Sequence, residues 1–188
     1  MIIIIELNKY NTLPISLEKK YHQKDLSEPN NLKKILPYYQ GNKKNQLREG
    51  IGCQVYENGN VYEGEWKNDN RNGYGILKDN FGIDIYNGDW KNDMYNGKGR
   101  LRNLNVQICF NEECDDFEKI FKQWQFYSGQ FINNLMHGQG TLIIYGNYKF
   151  IGTFVQGKIK GEGCLFKDNL QFVKGIWDNY DIQGNYEN

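Results

Sequence analysis

Proline is scarce, with three in 188 residues, and histidine is scarcer, with two. Serine occurs only at Ser16, Ser27 and Ser128. Nucleophilic catalysis therefore has little raw material, and no Ser–His or Cys–His arrangement can be assembled from the spacing. The four cysteines, Cys53, Cys109, Cys114 and Cys164, form no CxxC pair. They are too few for a disulfide framework in a chain this long, which points to a reducing compartment. No run approaches the ~18 apolar residues of a membrane helix. Met1–Ile5 has neither a basic n-region nor a small-residue cleavage site, so it does not read as a signal peptide. An excess of one charge is also lacking. The 23 basic and 23 acidic side chains cancel, which argues against a nucleic-acid partner.

What the chain does have is aromatic rings, glycine and asparagine. Aromatics make up 15 % of the residues, against 39 % hydrophobic in all, with 21 Gly and 25 Asn. This is too aromatic for a disordered chain and too poor in aliphatic residues for a large conventional core. Short strands, tight turns and flat packing rings are expected instead. An internal repeat supports this. Tyr62-Glu-Gly64-Glu-Trp66 is followed, 11 residues after Tyr62, by Gly73-Tyr-Gly75. The same offset of 11 links Tyr86-Asn-Gly88-Asp-Trp90 to Gly97-Lys-Gly99, and Tyr127-Ser-Gly129-Gln-Phe131 to Gly138-Gln-Gly140. It also links Phe150-Ile-Gly152-Thr-Phe154 to Gly161-Glu-Gly163. Tyr39-Gln-Gly41 precedes Gly50-Ile-Gly52 in the same way, with Lys43 in place of the third ring. The last copy, Val173-Lys-Gly175-Ile-Trp177, reaches Gly184 but has Tyr186 where a glycine belongs. Repeats thus start at 39, 62, 86, 127, 150 and 173, and an insertion lengthens the third step.

Period-two alternation places the two rings and the central glycine of each copy on one strand face. Each repeat is expected to be a β-hairpin closed by a polar loop of about six residues. Glycine inside a strand ordinarily weakens it. Its fixed position at Gly41, Gly64, Gly73, Gly75, Gly88, Gly97, Gly99, Gly129, Gly138, Gly140, Gly152, Gly161, Gly163 and Gly175 implies that a ring from a neighbouring strand or repeat lies over bare backbone. Leu77, Leu101, Leu142 and Leu165 fall on the glycine face. A single hairpin cannot bury its own apolar face, so the copies must stack.

The pattern resembles the MORN repeat (membrane occupation and recognition nexus), over roughly residues 39–188. The resemblance implies an all-β fold: an elongated single sheet of about six antiparallel hairpins, with an N-terminal cap and one short helical insertion. At ~4.8 Å per strand, twelve strands would make a rod of roughly 50–55 Å. The resemblance further implies a non-enzymatic scaffold that docks other protein subunits of a large complex. The expected setting is a ciliary or flagellar axonemal assembly such as a radial spoke, in the cytoplasm and cytoskeleton. The alternative is a peripheral adaptor binding anionic membrane lipid. The array is slightly acidic, which disfavours that alternative. Candidate partner contacts are Tyr62, Trp66, Tyr86, Trp90, Tyr127, Phe131, Phe150, Phe154 and Trp177, with Phe117, Phe121 and Trp124 from the insertion.

Residues 1–38 lack the repeat. They carry six Lys and four acids, and either cap the first hairpin or dock elsewhere. Met1–Leu7 could form a short strand, and residues 30–36 a helical turn ending before Pro37. The insertion falls at about 103–126. Phe117, Ile120, Phe121 and Trp124 recur at i, i+3, i+4, i+7, as on one face of a helix, with Asn111 as its N-cap. The stripe either lies on the sheet or meets a partner. Glu112, Glu113, Asp115 and Asp116 suit a helix start better than a calcium loop. Asp79–Asp84 reads as a turn between hairpins. The Gly-x-Gly pairs lack a phosphate-loop context. No cofactor or metal is expected.

Overall fold

The computed structural model describes residues 37–106 and 116–187, with side chains placed through Gln183. The expected N-terminal strand, the helical turn at 30–36 and Asn111 lie outside the described residues. The protein is all-β. Among the described residues twelve strands run in chain order, and the chain divides after Asp84 into two compact units.

The first unit holds β1 (Tyr38–Lys44), β2 (Leu47–Val55), β3 (Val61–Lys67) and β4 (Asn70–Lys78), each antiparallel to the next. The second holds β5 (Asp84–Lys91), β6 (Met94–Arg102), β7 (Trp124–Ile132) and β8 (Leu135–Ile144). It continues with β9 (Tyr148–Val155), β10 (Lys158–Lys167), β11 (Leu170–Asp178) and β12 (Asp181–Glu187). Again each strand pairs antiparallel with its successor. Among the described residues one helix, α1 (Phe117–Lys122), lies between β6 and β7.

The hairpin loops are shorter than expected. Asn68-Asp69 alone joins β3 to β4, and both residues have positive φ, 48° and 66°. Asn45-Gln46, Asn92-Asp93 and Asn133-Asn134 repeat this geometry. These are two-residue turns of the primed type, whose twist matches that of the strands and which Asn and Asp tolerate. The polar run read as a six-residue loop is mostly strand. Its Arg71 opposes Trp66 on the ring face and lies over the Tyr62 ring at 5.7 Å.

The insertion also differs from expectation. α1 begins at Phe117, with the Asp116 carboxylate accepting from Glu118 N at 2.8 Å, so Asp116 is the cap. The helix ends at Lys122, and Trp124 opens β7. Trp124 is therefore not on the helical stripe, because strand pairing with Ile144 takes it over. Asn103 closes the base of the insertion, donating from its side chain to the Trp124 carbonyl at 2.8 Å.

Candidate interaction surface

The repeated rings and glycines form one device, clearest in β3 and β4. Gly64 and Gly75 pair directly across the two strands. The Tyr62 side chain leans along its own strand and lays its ring over both. A Cβ at Gly64 would sit 2.6 Å from Tyr62 Oη. The rings of Tyr39, Tyr86, Tyr127 and Phe150 cover their own glycine pairs in the same way. The covering ring thus comes from the same repeat. The hydroxyl is used too. Tyr62 Oη donates to the Glu65 carbonyl at 3.0 Å, Tyr86 to Asp89 at 2.9 Å and Tyr127 to Gln130 at 3.0 Å. Burial pushes the Tyr86 and Tyr127 hydroxyls up, that of Tyr127 to about 12.

The first glycine of each Gly-x-Gly has a separate role. Pairing jumps from Gly64–Gly75 to Trp66–Arg71, so three residues on β4 face Glu65 alone. Gly73 takes φ 102° at this bulge, a conformation that costs an L side chain dearly. Glu65 stabilises the bulge by accepting from Tyr74 N at 2.7 Å, as Asp89 does from Lys98 N at 2.8 Å. These acids had no assigned role in the sequence reading. The signal was available: a residue able to accept a hydrogen bond sits between glycine and ring in most copies.

Hairpin tips are stitched together as well. The Asp69 carboxylate accepts from Arg48 N at 2.7 Å and from Arg48 Nε at 3.1 Å. Asn134 does the equivalent for Tyr95 N at 2.8 Å. Within each unit, third rings then bridge to the repeat before them. Trp66 meets Tyr62 edge-on at 5.0 Å and Tyr39 of the preceding repeat at 5.6 Å. Its indole N–H donates to the Gly52 carbonyl at 3.2 Å. In the second unit the chain of edge-on contacts runs Tyr86–Phe131, Tyr127–Phe154 and Phe150–Trp177, at 5.3, 5.0 and 5.5 Å. Each such pair adds about 0.5–1.5 kcal/mol beyond the area it buries.

A family model for the MORN repeat matches residues 39–61, 62–80, 86–102, 127–145 and 150–171, just over half of the 188 residues. The chain is a MORN-repeat protein. All five matched starts coincide with the starts read from the sequence, and β11 and β12 continue the array as a sixth hairpin. Comparison with the curated proteins found no match.

The MORN array uses its ring face internally. Tyr62, Tyr86, Tyr127, Phe150, Trp66, Trp90, Phe131, Phe154 and Trp177 are all 3 % exposed or less. They were expected to contact a partner, but all are buried, packed on other rings of the array and, at Trp66, under Arg48 at 4.0 Å. Phe121 is buried against Phe150 and Trp177, at 5.3 and 5.5 Å, and stacks on Tyr180 at 5.7 Å. Phe117 meets Trp177 at 5.1 Å. The stripe of α1 therefore lies on the sheet. Phe117 and Trp124 are half-buried.

The opposite face is open. In the second unit its side chains form two adjacent rows across six strands. One row is Arg102, Phe126, Ile143, Lys149, Phe166 and Gln171, each paired with the next. The other is Arg100, Ser128, Thr141, Ile151, Cys164 and Lys174. Arg100 lies over the Phe126 ring at 4.5 Å and Lys149 over Phe166 at 4.9 Å. In the first unit the corresponding positions Cys53, Glu63 and Ile76 pair across the strands. There Lys78 Nζ meets Glu63 Oε2 at 2.7 Å, so cation and acid offset each other.

Among the described residues no group of three or more His, Cys, Asp and Glu could hold a metal, and no helix is long and apolar enough to cross a membrane. The Asp79 carboxylate accepts from Phe81 N and Ile83 N at 3.0 and 2.9 Å, in keeping with a turn. His137 lends its carbonyl to Tyr127 Oη at 3.2 Å. Cys53 and Cys164 are free thiols on β2 and β10, while Cys109 and Cys114 fall outside the described residues.

Proposed function

We propose that this chain is a non-enzymatic scaffold subunit of a larger protein assembly. MORN repeats point to an interaction or membrane-binding role. One observation carries the choice of scaffold. The rings and glycines that fill the repeat are taken up in holding one repeat on the next, while large apolar side chains stand exposed on the other face. Ile143, Ile151 and Ile176 are 38, 43 and 56 % exposed. A face that is rigid behind and apolar in front suits a partner contact.

The proposed setting is a ciliary or flagellar axonemal complex such as a radial spoke, in keeping with the resemblance to array-type MORN proteins. The test is to tag the endogenous protein, purify it under gentle salt and identify what accompanies it. Recovery with axonemal or basal-body components supports the proposal. Migration as a free monomer with no stable company counts against it. Recovery mainly with membrane vesicles, lost at high salt, would move the assignment to a peripheral lipid adaptor.

A further inference from the structure

We infer that the chain's own residues 32–36 fold back over the open face of the first unit, seating Leu32, Ile35 and Leu36 on an uncharged field that runs from β1 to β3. The inference is independent of the scaffold reading and leaves the open face of the second unit to a partner. Register sets the field. Tyr38 pairs with Val55 and Val55 with Val61, so one row across three strands carries no charge. Beside that row lies Cys53, half-buried, and at the rim Ile51, which is 65 % exposed. Tyr38 Oη donates to Gln40 Oε1 at 3.4 Å, and Gln40 pairs with Cys53, which puts these residues on one face. The ion pair of Lys78 with Glu63 bounds the field toward β4. Apolar side chains gathered in one exposed patch mark a contact surface.

The tether selects the occupant. Leu32, Ile35 and Leu36 stand among the last residues before Pro37, and Tyr38, the first member of the row, follows directly. The chain from Leu32 to Tyr38 spans up to about 20 Å when extended. From β1 to β3 is about 10 Å, so the whole field is within reach. A segment joined this closely is held at an effective concentration on the order of 1 mM, which a free partner or a second copy would have to exceed. Pro37 fixes its own φ and so reduces the freedom that docking removes.

Other places for the same side chains fit less well. The ring face at the start of the array is already roofed. Lys43 lies over the Tyr39 ring at 5.6 Å, and Arg48 over the Tyr39 and Trp66 rings at 5.9 and 4.0 Å. β1 is an edge strand that carries Lys43 and Lys44, and lysines blunt an edge against strand addition.

The test uses the purified full chain. A benzophenone-bearing phenylalanine replaces Ile51, and crosslinked peptides are mapped by mass spectrometry at a low and a high protein concentration. In parallel, Leu32→Ser/Ile35→Ser/Leu36→Ser is compared with the unaltered chain for the rate at which iodoacetamide alkylates Cys53, with Cys164 of the second unit as reference. The expected result is an intramolecular crosslink into residues 32–36 whose yield does not change with concentration. Cys53 should react about ten-fold faster in the variant, as a face covered about nine-tenths of the time requires. An unchanged Cys53 rate, or an equal rise at Cys164, overturns the inference. A crosslink into any other part of the chain does the same, and one that grows with concentration assigns the field to a second copy and overturns it too. Should thermal unfolding show that the variant does not fold, the crosslink alone decides. None of these outcomes touches the recovery of a partner complex, so failure here is distinct from failure of the scaffold reading.

Discussion

The ring of Tyr62 covers Gly75 on the neighbouring strand so closely that a Cβ there would lie 2.5 Å from its Cζ. The absence of a side chain at one position is thus what lets another be fully buried. Five repeats use this relationship, and two pairs of residues in each repeat depend on it.

Gly88→Val is therefore expected to destabilise the second unit severely. A Cβ there would meet the Gly99 backbone and come within 2.9 Å of Tyr86 Oη, so the strand or the ring must move. The cost should be about 3 kcal/mol or more, read by urea unfolding. Gly82→Ala is the contrasting case. Gly82 has φ 80° but open space around it, so only about 1 kcal/mol of backbone strain is expected. Equal effects for the two would refute the stacking account.

Phe121→Ala should cost about 3–5 kcal/mol, because the ring is buried where α1 meets Phe150 and Trp177. For the same reason, removing residues 103–122 should lower the melting temperature of the second unit, although the flanking repeats would rejoin near their normal period. A deletion variant that melts where the intact chain does would show that the helix adds nothing to the core.

Asp69→Asn separates charge from turn geometry. Asn is at home at positive φ, and Asn134 already makes the equivalent bond. Hydrogen bonds from Arg48 hold the Asp69 carboxyl below its ordinary value of 3.8. A depressed carboxyl contributes stability that is present above that value and lost as pH falls through its folded-state pKa. Asp69→Asn should leave stability at neutral pH little changed and flatten its decline below about pH 4. Unfolding curves between pH 2 and 7 check this, and identical acid limbs would refute it.

At the alkaline end, Tyr127 works in the opposite sense. Burial raises its hydroxyl from 10.0 to about 12. The stability tied to the neutral phenol is complete below pH 10 and is lost as pH rises through 12. Tyr127→Phe should unfold less steeply over that window, at the cost of the bonds to the Gln130 and His137 carbonyls, about 1 kcal/mol at neutral pH. Phe150 already fills the equivalent place without a hydroxyl. Ultraviolet absorbance of ionised tyrosine, followed alongside unfolding, gives the comparison.

Much of this could be read from the chain. The constant offset from Tyr62 to Gly73, and its copies, gave the repeat, its starts and the sharing of a face by rings and glycines. Polarity hides the true loop length, because Arg71 is charged yet lies over the Tyr62 ring, at a place that Tyr95 and Ile159 take in other copies. Glu65 carries no local signal either, since its partner, the Tyr74 N–H, is offered only where β4 bulges at Gly73. Trp124 fitted a helical spacing as well as a strand, and pairing with Ile144 decided between them.

By itself the sequence determined the hairpin array, because ring, glycine and turn residues act within one repeat over a few residues of chain. Only the tertiary structure decided which face is left for a partner. Burial of the rings depends on a ring 27 residues away, or 45 across the insertion, and on α1 docking against Phe150 and Trp177. The rows of the open face exist only when β6 to β11 pair in register. Such proximity is a property of pairing register, which the local spacing of residues does not record.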